Sequence, residues 1–360
     1  MPDEDLKPIK VLVVDDSAFS RQTIKTILQK VPNVEIVGVA VNGQDGMRKI
    51  INFKPDVVTL DLEMPEMDGF TLLRWVMQER PLPVIVVSSH GDDPTVFKAL
   101  ELGAVDVVIK PTARASRELK EIESDLIRKV VGASSLQLEK LKRSISLLEK
   151  RKVINGSDFS GHSEIKMVAV GSSTGGPTAL QSILTRLPGN FPSMIVISQH
   201  MPRGFTRQFA DRMDKLCALY VKEADQGEPI EAGKVLICPG GYHLMFQRLK
   251  GKIFVLLKES ATSDRYIPSV DIMMKSIAEV YGPRTMGVLL TGMGNDGKEG
   301  MLEIKKQGGF TIAESEETAV VFGMPREIIL AGGADKIAPL EKIPDEIMKR
   351  MKRDEKQNNY

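Results

Sequence analysis

Residues 165–184 read IKMVAVGSSTGGPTALQSIL. An apolar run enters a turn of glycines and serines at Gly171–Gly176, and a helical pattern opens at Pro177. Strand, tight turn and helix form the unit from which parallel α/β sheets are built. The turn then lies at the C-terminal edge of a strand, where such sheets hold their ligands. Two chemistries suit a turn of this kind. A Walker phosphate loop needs Gly-Lys-Ser/Thr, but Gly176 is followed by Pro177 and Thr178. A dinucleotide fingerprint needs a glycine where Ser173 stands. The start of a helix can still receive an anion. The other chemistry is nucleophilic: Gly171-Ser172-Ser173-Thr174-Gly175 fits G-x-S-x-G, which exposes the central hydroxyl and selects Ser173 over Ser172. Pro177 suits the first turn of the helix.

A serine at its ordinary pKa needs a base. The chain has 4 histidines. His90 falls in the first half and His162 in a polar stretch. His200 ends the apolar run MIVISQ, and His243 follows PGGY. His200 is the better placed base and His243 the second. The base in turn needs an orienting carboxylate. Asp296, in LLTGMGNDG after another apolar run, offers one. The order Ser, His, Asp differs from that of α/β-hydrolases, so the spacing predicts a different fold around a similar turn.

The rest of the chain repeats the alternation. KVLVVDD, VEIVGVA, PDVVTLDL, PLPVIVVSS and AVDVVIKP are five strand candidates separated by helical patterns, the last helix spanning Arg117–Val131. Gly132–Ser135 reads as a break. A second amphipathic pattern with Leu138, Leu141, Ile145 and Leu148 follows it, then the polar stretch NGSDFSGHS. From Glu164 the runs MVAVG, MIVISQ, KVLICPG, KIFVLL, TMGVLLTG and GFTIAES start a second α/β pattern, and the chain ends in a charged tail. With 360 residues, two domains are expected. A net charge of +1 argues against nonspecific nucleic-acid binding. The polar N-terminus, the lack of a membrane-length apolar run and two isolated cysteines predict a cytoplasmic protein without disulfides or membrane insertion.

In the first half, Asp15 and Asp16 end one strand and Asp61 ends another. Ser88 and Lys110 end two more. In a parallel sheet these ends lie side by side. Three converging carboxylates call for a hard cation such as Mg²⁺, and the set suits phosphoryl transfer to Asp61. Through VVDDS, LDLEMPEMDG, VVSS and KP, residues 9–131 resemble a response-regulator receiver domain. The resemblance implies phosphorylation at Asp61 and phosphoryl contacts from Ser88 and Lys110. It also implies Mg²⁺ held by Asp15, Asp16, Asp61 and the backbone carbonyl of Glu63. Many receivers carry an aromatic switch residue three positions before the lysine, where this chain has Val107.

The second half, through GSSTGGP, SQHMPRGFT, CPGGYH, PSVD and LLTGMGNDG followed by EGM, resembles the catalytic domain of the CheB family of chemotaxis protein-glutamate methylesterases. That resemblance implies a (βα)5 receiver over 9–131 and a doubly wound, mainly parallel α/β methylesterase domain over 164–350; the residues between them, 132–163, read as a partly helical linker, longer and more helical than the family resemblance leads one to expect. It implies Ser173 as nucleophile, His200 as base, Asp296 as orienting acid and the Met293 N–H as oxyanion donor, with no cofactor in the catalytic domain. The expected substrates are glutamate γ-methyl esters on chemoreceptors, with slower deamidation of receptor glutamines. The expected phosphodonor is a chemotaxis-type histidine kinase, with the unphosphorylated receiver covering the Ser173 cleft. Two other functional classes make different predictions. A DNA-binding output predicts a compact helix-turn-helix and a basic face, in place of these repeated strands. A phospho-dependent scaffold or regulator without esterase activity predicts unchanged receptor methylation in a Ser173→Ala strain.

Overall fold

The computed structural model describes residues 7–88, 95–110, 117–134, 136, 138–149, 153–154, 163–261 and 263–351. His90, His162, most of the polar stretch before Glu164 and the tail beyond Met351 lie outside the described residues. The chain divides into two compact units, residues 1–142 and 143–360.

The first unit is a five-stranded sheet in the order β2-β1-β3-β4-β5, parallel throughout. Its strands are β1 (Ile9–Val14), β2 (Val34–Ala40), β3 (Val57–Leu60), β4 (Val84–Ser88) and β5 (Asp106–Ile109). β3 and β4 are buried at every position, which their near-continuous β-branched sequences require of strands covered on both faces. Between them run α1 (Ala18–Leu28), α2 (Gly43–Phe53), α3 (Gly69–Glu79) and α4 (Thr95–Glu101). Three of these helices open on a side-chain cap. Ser17, Asn42 and Asp68 accept from the N–H groups of Ser20, Asp45 and Thr71.

The final helix of this unit, α5 (Arg117–Ser134), runs through the glycine expected to break it. A helical glycine costs about 1 kcal/mol, and the burial of Leu126, Val130 and Ala133 along this helix outweighs that. Lys129 anchors the same face. Its ammonium is buried, 3.1 Å from Asp106 and 2.9 Å from Asp125, and donates to the Val107 carbonyl at 2.6 Å. Burial alone would raise the Asp125 carboxyl, but Lys129 and Arg128 hold it below the ordinary range. The next helix, α6 (Leu138–Glu149), lies within the 135–152 pattern. The division between the units passes through it. Its Arg143 pairs with Glu317 at 2.8 Å and Glu341 at 2.5 Å.

The second unit is built on a seven-stranded sheet, β14-β13-β12-β6-β7-β9-β8, in which every pairing is parallel. Its strands are β6 (Met167–Ser172), β7 (Met194–Gln199), β8 (Tyr220–Glu223), β9 (Lys234–Ile237), β12 (Thr285–Leu289), β13 (Phe310–Glu314) and β14 (Lys336–Ala338). The crossover helices are α7 (Gly176–Leu184), α8 (Phe205–Leu216), α9 (Val270–Tyr281), α10 (Lys298–Lys306) and α11 (Met324–Leu330), with α12 (Ile343–Met351) last. The chain winds outward from β6 in both directions, so the strand order reverses between β6 and β12.

The apolar run KIFVLL does not join this sheet. It is β11 (Lys252–Glu259), paired antiparallel with β10 (Tyr242–Leu249) in a separate hairpin. His243 accordingly lies within a strand and not after one. Strands β8, β10 and β14 have no strong apolar signature because each is partly exposed along its length.

Replacing Lys129 by Met takes the ammonium from the buried Asp106 carboxylate and leaves the half-buried Asp125 to Arg128 alone, and breaking a buried ion pair in this way costs about 3–5 kcal/mol. Thermal unfolding of the full chain is expected to show an earlier transition for the receiver half. Adding apolar replacements at Asp106 and Asp125 is expected to recover most of the loss.

Candidate active site

Strand β6 delivers the Gly-Ser turn. Ser172 is still in the strand, and its hydroxyl donates to Gln199 Oε1 at 2.6 Å. Gln199 Nε2 in turn donates to the carbonyls of Ser173 at 3.0 Å and His200 at 3.1 Å. The Ser172 hydroxyl is thus engaged in holding the turn, which leaves Ser173 as the nucleophile candidate. Gly176 is required here, because a Cβ on it would lie 2.0 Å from Gln199 Oε1. Gly175 takes the left-handed conformation, φ 78°, that lets the chain turn into α7.

Adjoining strand ends carry the partners. The His200 N–H donates to the Ser172 carbonyl at 3.1 Å, and the Ser173 N–H to the Thr291 carbonyl at 3.0 Å. The β7 and β12 exits therefore flank the serine turn at the point where the strand order reverses. His200 Nε2 lies 2.7 Å from Asp296 Oδ2, and both side chains are buried. Ser173 is also buried, but its Oγ has no hydrogen-bond partner among the described residues. The expected serine–histidine bond is therefore absent from this structure. Such bonds are commonly long or unformed without substrate and tighten in the complex.

Asp296 is heavily supported. It accepts from the Ser269 hydroxyl at 3.0 Å and from the N–H groups of Val270 at 2.7 Å and Asp271 at 3.0 Å. Burial alone would raise its pKa, but His200 and these N–H groups hold the carboxyl below the ordinary range. The Val270 and Asp271 donors open α9, where a carboxylate also gains from the helix dipole. Tyr266 stacks on the His200 ring at 5.2 Å between centroids. The second histidine candidate is engaged on both sides. His243 Nε2 lies 2.8 Å from Asp264 Oδ2, and its Nδ1 accepts from the Ser269 N–H at 3.0 Å. It therefore has no nitrogen left to serve as base.

The loop after β12 passes close over the serine. A Cβ on Gly292 would lie 2.7 Å from the Ser173 Cβ, so only glycine allows this approach. Met293 follows at half-buried depth, and its N–H donates to no described residue. Thr291 holds the loop. Its N–H donates to the buried Glu314 carboxyl at 2.8 Å, and its hydroxyl to the Thr174 carbonyl at 2.9 Å. The contributions of Gln199, Thr291, Glu314 and Tyr266 were not legible from spacing, because each acts through a partner far away in sequence. Gln199, Thr291 and Glu314 share one signal, position at or just beyond a strand end; Tyr266, in the loop before α9, lacks it.

In the first unit, one oxygen each of Asp15, Asp16 and Asp61 lie within 4.8 Å of one another. Lys110 Nζ is 2.5 Å from Asp61 Oδ2 and 3.3 Å from Asp15 Oδ2. Burial first, then the neighbouring acid, raises the Asp15 and Asp61 carboxyls, against the lowering effect of Lys110. Asp15 Oδ2 is buried without a hydrogen bond. Clustered, partly unsatisfied carboxylate oxygens of this kind fit a divalent cation. Ser88 ends β4 beside Lys110, whose N–H donates to the Ser88 carbonyl at 2.7 Å. The Glu63 N–H donates to Asp61 Oδ1 at 3.3 Å.

Comparison with known proteins matches the same two regions. The CheB methylesterase family model covers residues 168–347, and the response regulator receiver domain model covers 11–122. A Geobacter sulfurreducens protein named protein-glutamate methylesterase/protein-glutamine glutaminase 3 is 50% identical across 96% of this chain and 98% of its own length. A Carboxydothermus hydrogenoformans relative, named protein-glutamate methylesterase/protein-glutamine glutaminase 2, is 44% identical across 95% of this chain and 99% of its own. The crystal structure of the Thermotoga maritima CheB methylesterase catalytic domain aligns with a TM-score of 0.50 at 46% identity, covering 51% of this chain and 98% of that one.

Burial, then the charge on Asp296, pushes the Asp271 carboxyl up to about 6. A carboxyl raised in the folded state binds its proton more tightly there than in the unfolded chain. Its contribution to stability therefore falls as pH rises from about 4 to about 6. Asp271→Asn keeps an acceptor for the Gly300 N–H, which donates at 2.7 Å, and removes the charge. The variant is expected to be more stable than wild type above pH 6, by on the order of 1–3 kcal/mol. The two stabilities are expected to converge near pH 4; urea unfolding across that range checks this.

Proposed function

The chain belongs to the CheB methylesterase family, and on that premise we propose that it hydrolyses glutamate γ-methyl esters on chemoreceptors under the control of its receiver. The proposed functional domains are the receiver over 9–131 and the esterase over 164–350, joined by a partly helical linker over 132–163. The observation that carries the catalytic reading is the buried His200–Asp296 pair at strand ends that flank the Ser173 turn.

With the ionised Asp296 accepting from His200 Nε2, the proposed proton acceptor is Nδ1. In the proposed reaction Ser173 Oγ attacks the ester carbonyl and His200 takes its proton. The Met293 N–H is the proposed donor to the developing oxyanion, and removal of such a donor typically costs about 10²–10³-fold in rate. The tetrahedral intermediate collapses with loss of methoxide, protonated by His200 and released as methanol. Water then attacks the acyl-serine, again with His200 as base, leaving a glutamate carboxylate and restoring Ser173. Receptor glutamine enters the same cycle with ammonia as the leaving group, more slowly because an amide is the poorer acyl donor.

In the receiver, Asp61 accepts a phosphoryl group from a chemotaxis-type histidine kinase. Asp15, Asp16, Asp61 and the Glu63 carbonyl are the residues that would hold Mg²⁺, which supplies positive charge to the phosphoryl oxygens when bound. Lys110 and Ser88 would contact the same oxygens. No described helix is long and apolar enough to cross a membrane, and a cytoplasmic location is proposed to match the cytoplasmic helices of the receptors.

The test is methanol release from methylated receptor fragments, with and without a small-molecule phosphodonor and Mg²⁺. Release is expected to rise with the phosphodonor. Ser173→Ala is expected to lower it by on the order of 10⁶-fold, as for other serine triads, whereas Ser172→Ala retains activity. Asp61→Asn is expected to keep the basal rate and lose the response. Release that persists in Ser173→Ala overturns the assignment.

A further inference from the structure

The eight residues from Asp264 to Asp271 touch the catalytic pair at several points. Tyr266 stacks on His200, and its hydroxyl bonds Asn295 Oδ1 at 3.1 Å, next to Asp296. Ser269, Val270 and Asp271 all donate to the Asp296 carboxylate. The segment therefore forms a strap across His200 and Asp296, and one imidazole joins its two ends. His243 Nε2 lies 2.8 Å from Asp264 at the beginning of the strap, and His243 Nδ1 accepts from the Ser269 N–H at 3.0 Å near its end.

These two bonds fix the tautomer. Nδ1 accepts an N–H, so it carries no proton, and Nε2 must donate to Asp264. Asp264 is set for that role, with Oδ2 also accepting from the Ala261 N–H at 2.6 Å. Burial raises the Asp264 carboxyl, but His243 and this N–H outweigh it and hold the carboxyl low. His243 itself sits in β10, which pairs along its length with β11 and packs on α9. The imidazole is thus mounted on a rigid hairpin and reaches into a loop that has no regular structure of its own.

We infer that His243 is a positioning residue for the esterase reaction: it pins both ends of the Asp264–Ser269 strap and thereby holds Tyr266 and the start of α9 against His200 and Asp296. This rests on the esterase reading of Ser173, His200 and Asp296. Without the pin the Ser269 N–H loses a buried acceptor, and the donors to Asp296 are free to drift. A carboxylate with fewer donors binds the His200 imidazolium more strongly, so His200 protonates at a higher pH and is a poorer base near neutrality. The charges facing this network are Asp264, Asp271, Asp296 and His200, with Lys258 and Lys275 farther out.

The experiment compares His243→Phe, which keeps the ring shape without either bond, with His243→Asn, whose Oδ1 can replace Nδ1 as acceptor. Both are made in the full chain and assayed by methanol release from methylated receptor fragments across pH. His243→Phe is expected to lower kcat about 10–100-fold, as loss of an orienting partner does elsewhere, and to move the acid limb of kcat/KM to higher pH. His243→Asn is expected to recover most of the rate and return the limb towards wild type. Hydrogen exchange of the 264–271 amides, measured in a Ser173→Ala background, is expected to rise at least about tenfold in His243→Phe and less in His243→Asn. That readout needs no turnover, so it decides the role of His243 even if the esterase reading fails through inactivity of the wild type. The inference is overturned if exchange of the strap is unchanged in His243→Phe. It is equally overturned if both variants lose rate alike with the wild-type pH profile, which marks a packing role alone.

Discussion

The second unit depends on keeping one buried carboxylate ionised. Asp296 is 2% exposed, and an isolated charge at that depth costs several kcal/mol. The protein offsets this cost with several donors: the His200 imidazole, the Ser269 hydroxyl and the first N–H groups of α9. Those same donors dictate where α9 begins, how the loop after β12 must fold and which way the His200 ring faces. Catalytic order and local stability here have a single origin. The neighbouring Asp271 bears part of the cost, since its own carboxyl is pushed up by burial and by the charge on Asp296.

The first unit manages its acids in another way. Asp15 and Asp61 lie at adjoining strand ends with one ammonium, Lys110, between them. Burial, helped by the neighbouring acid, keeps both carboxyls raised despite that one ammonium. Asp296 is fully satisfied within the protein, whereas the receiver cluster is left short of positive charge. A cluster left short in this way suits reversible binding of a cation and transfer of a phosphoryl group. The two units share parallel α/β architecture but use their strand ends for opposite purposes. One ties its central carboxylate into hydrogen bonds, and the other leaves a carboxylate oxygen buried without one.

Much of this was legible because strand ends are marked locally. Each site candidate followed an apolar run of β-branched residues, and parallel order alone brings such ends together. Burial was harder to foresee. Gly132 reads as a helix break, yet α5 continues through it because Lys129 and its apolar neighbours are buried along the helix. KIFVLL reads as another strand of the main sheet, yet its partner β10 has too weak an apolar pattern to announce the hairpin they form.

The sequence by itself determined the α/β class, the two halves, the family and the candidate site residues. All of these follow from local periodicity, glycine placement and motifs a few residues long. Position along the chain already ranks His200 above His243 as a base candidate; only the tertiary structure shows which nitrogen of each meets which partner, across roughly a hundred residues or less of chain. It also decided that Ser172 is tied to Gln199 and that Thr291 and Glu314 hold the loop over Ser173. Hydrogen-bond partners distant in sequence leave no periodic trace, so packing alone determines them.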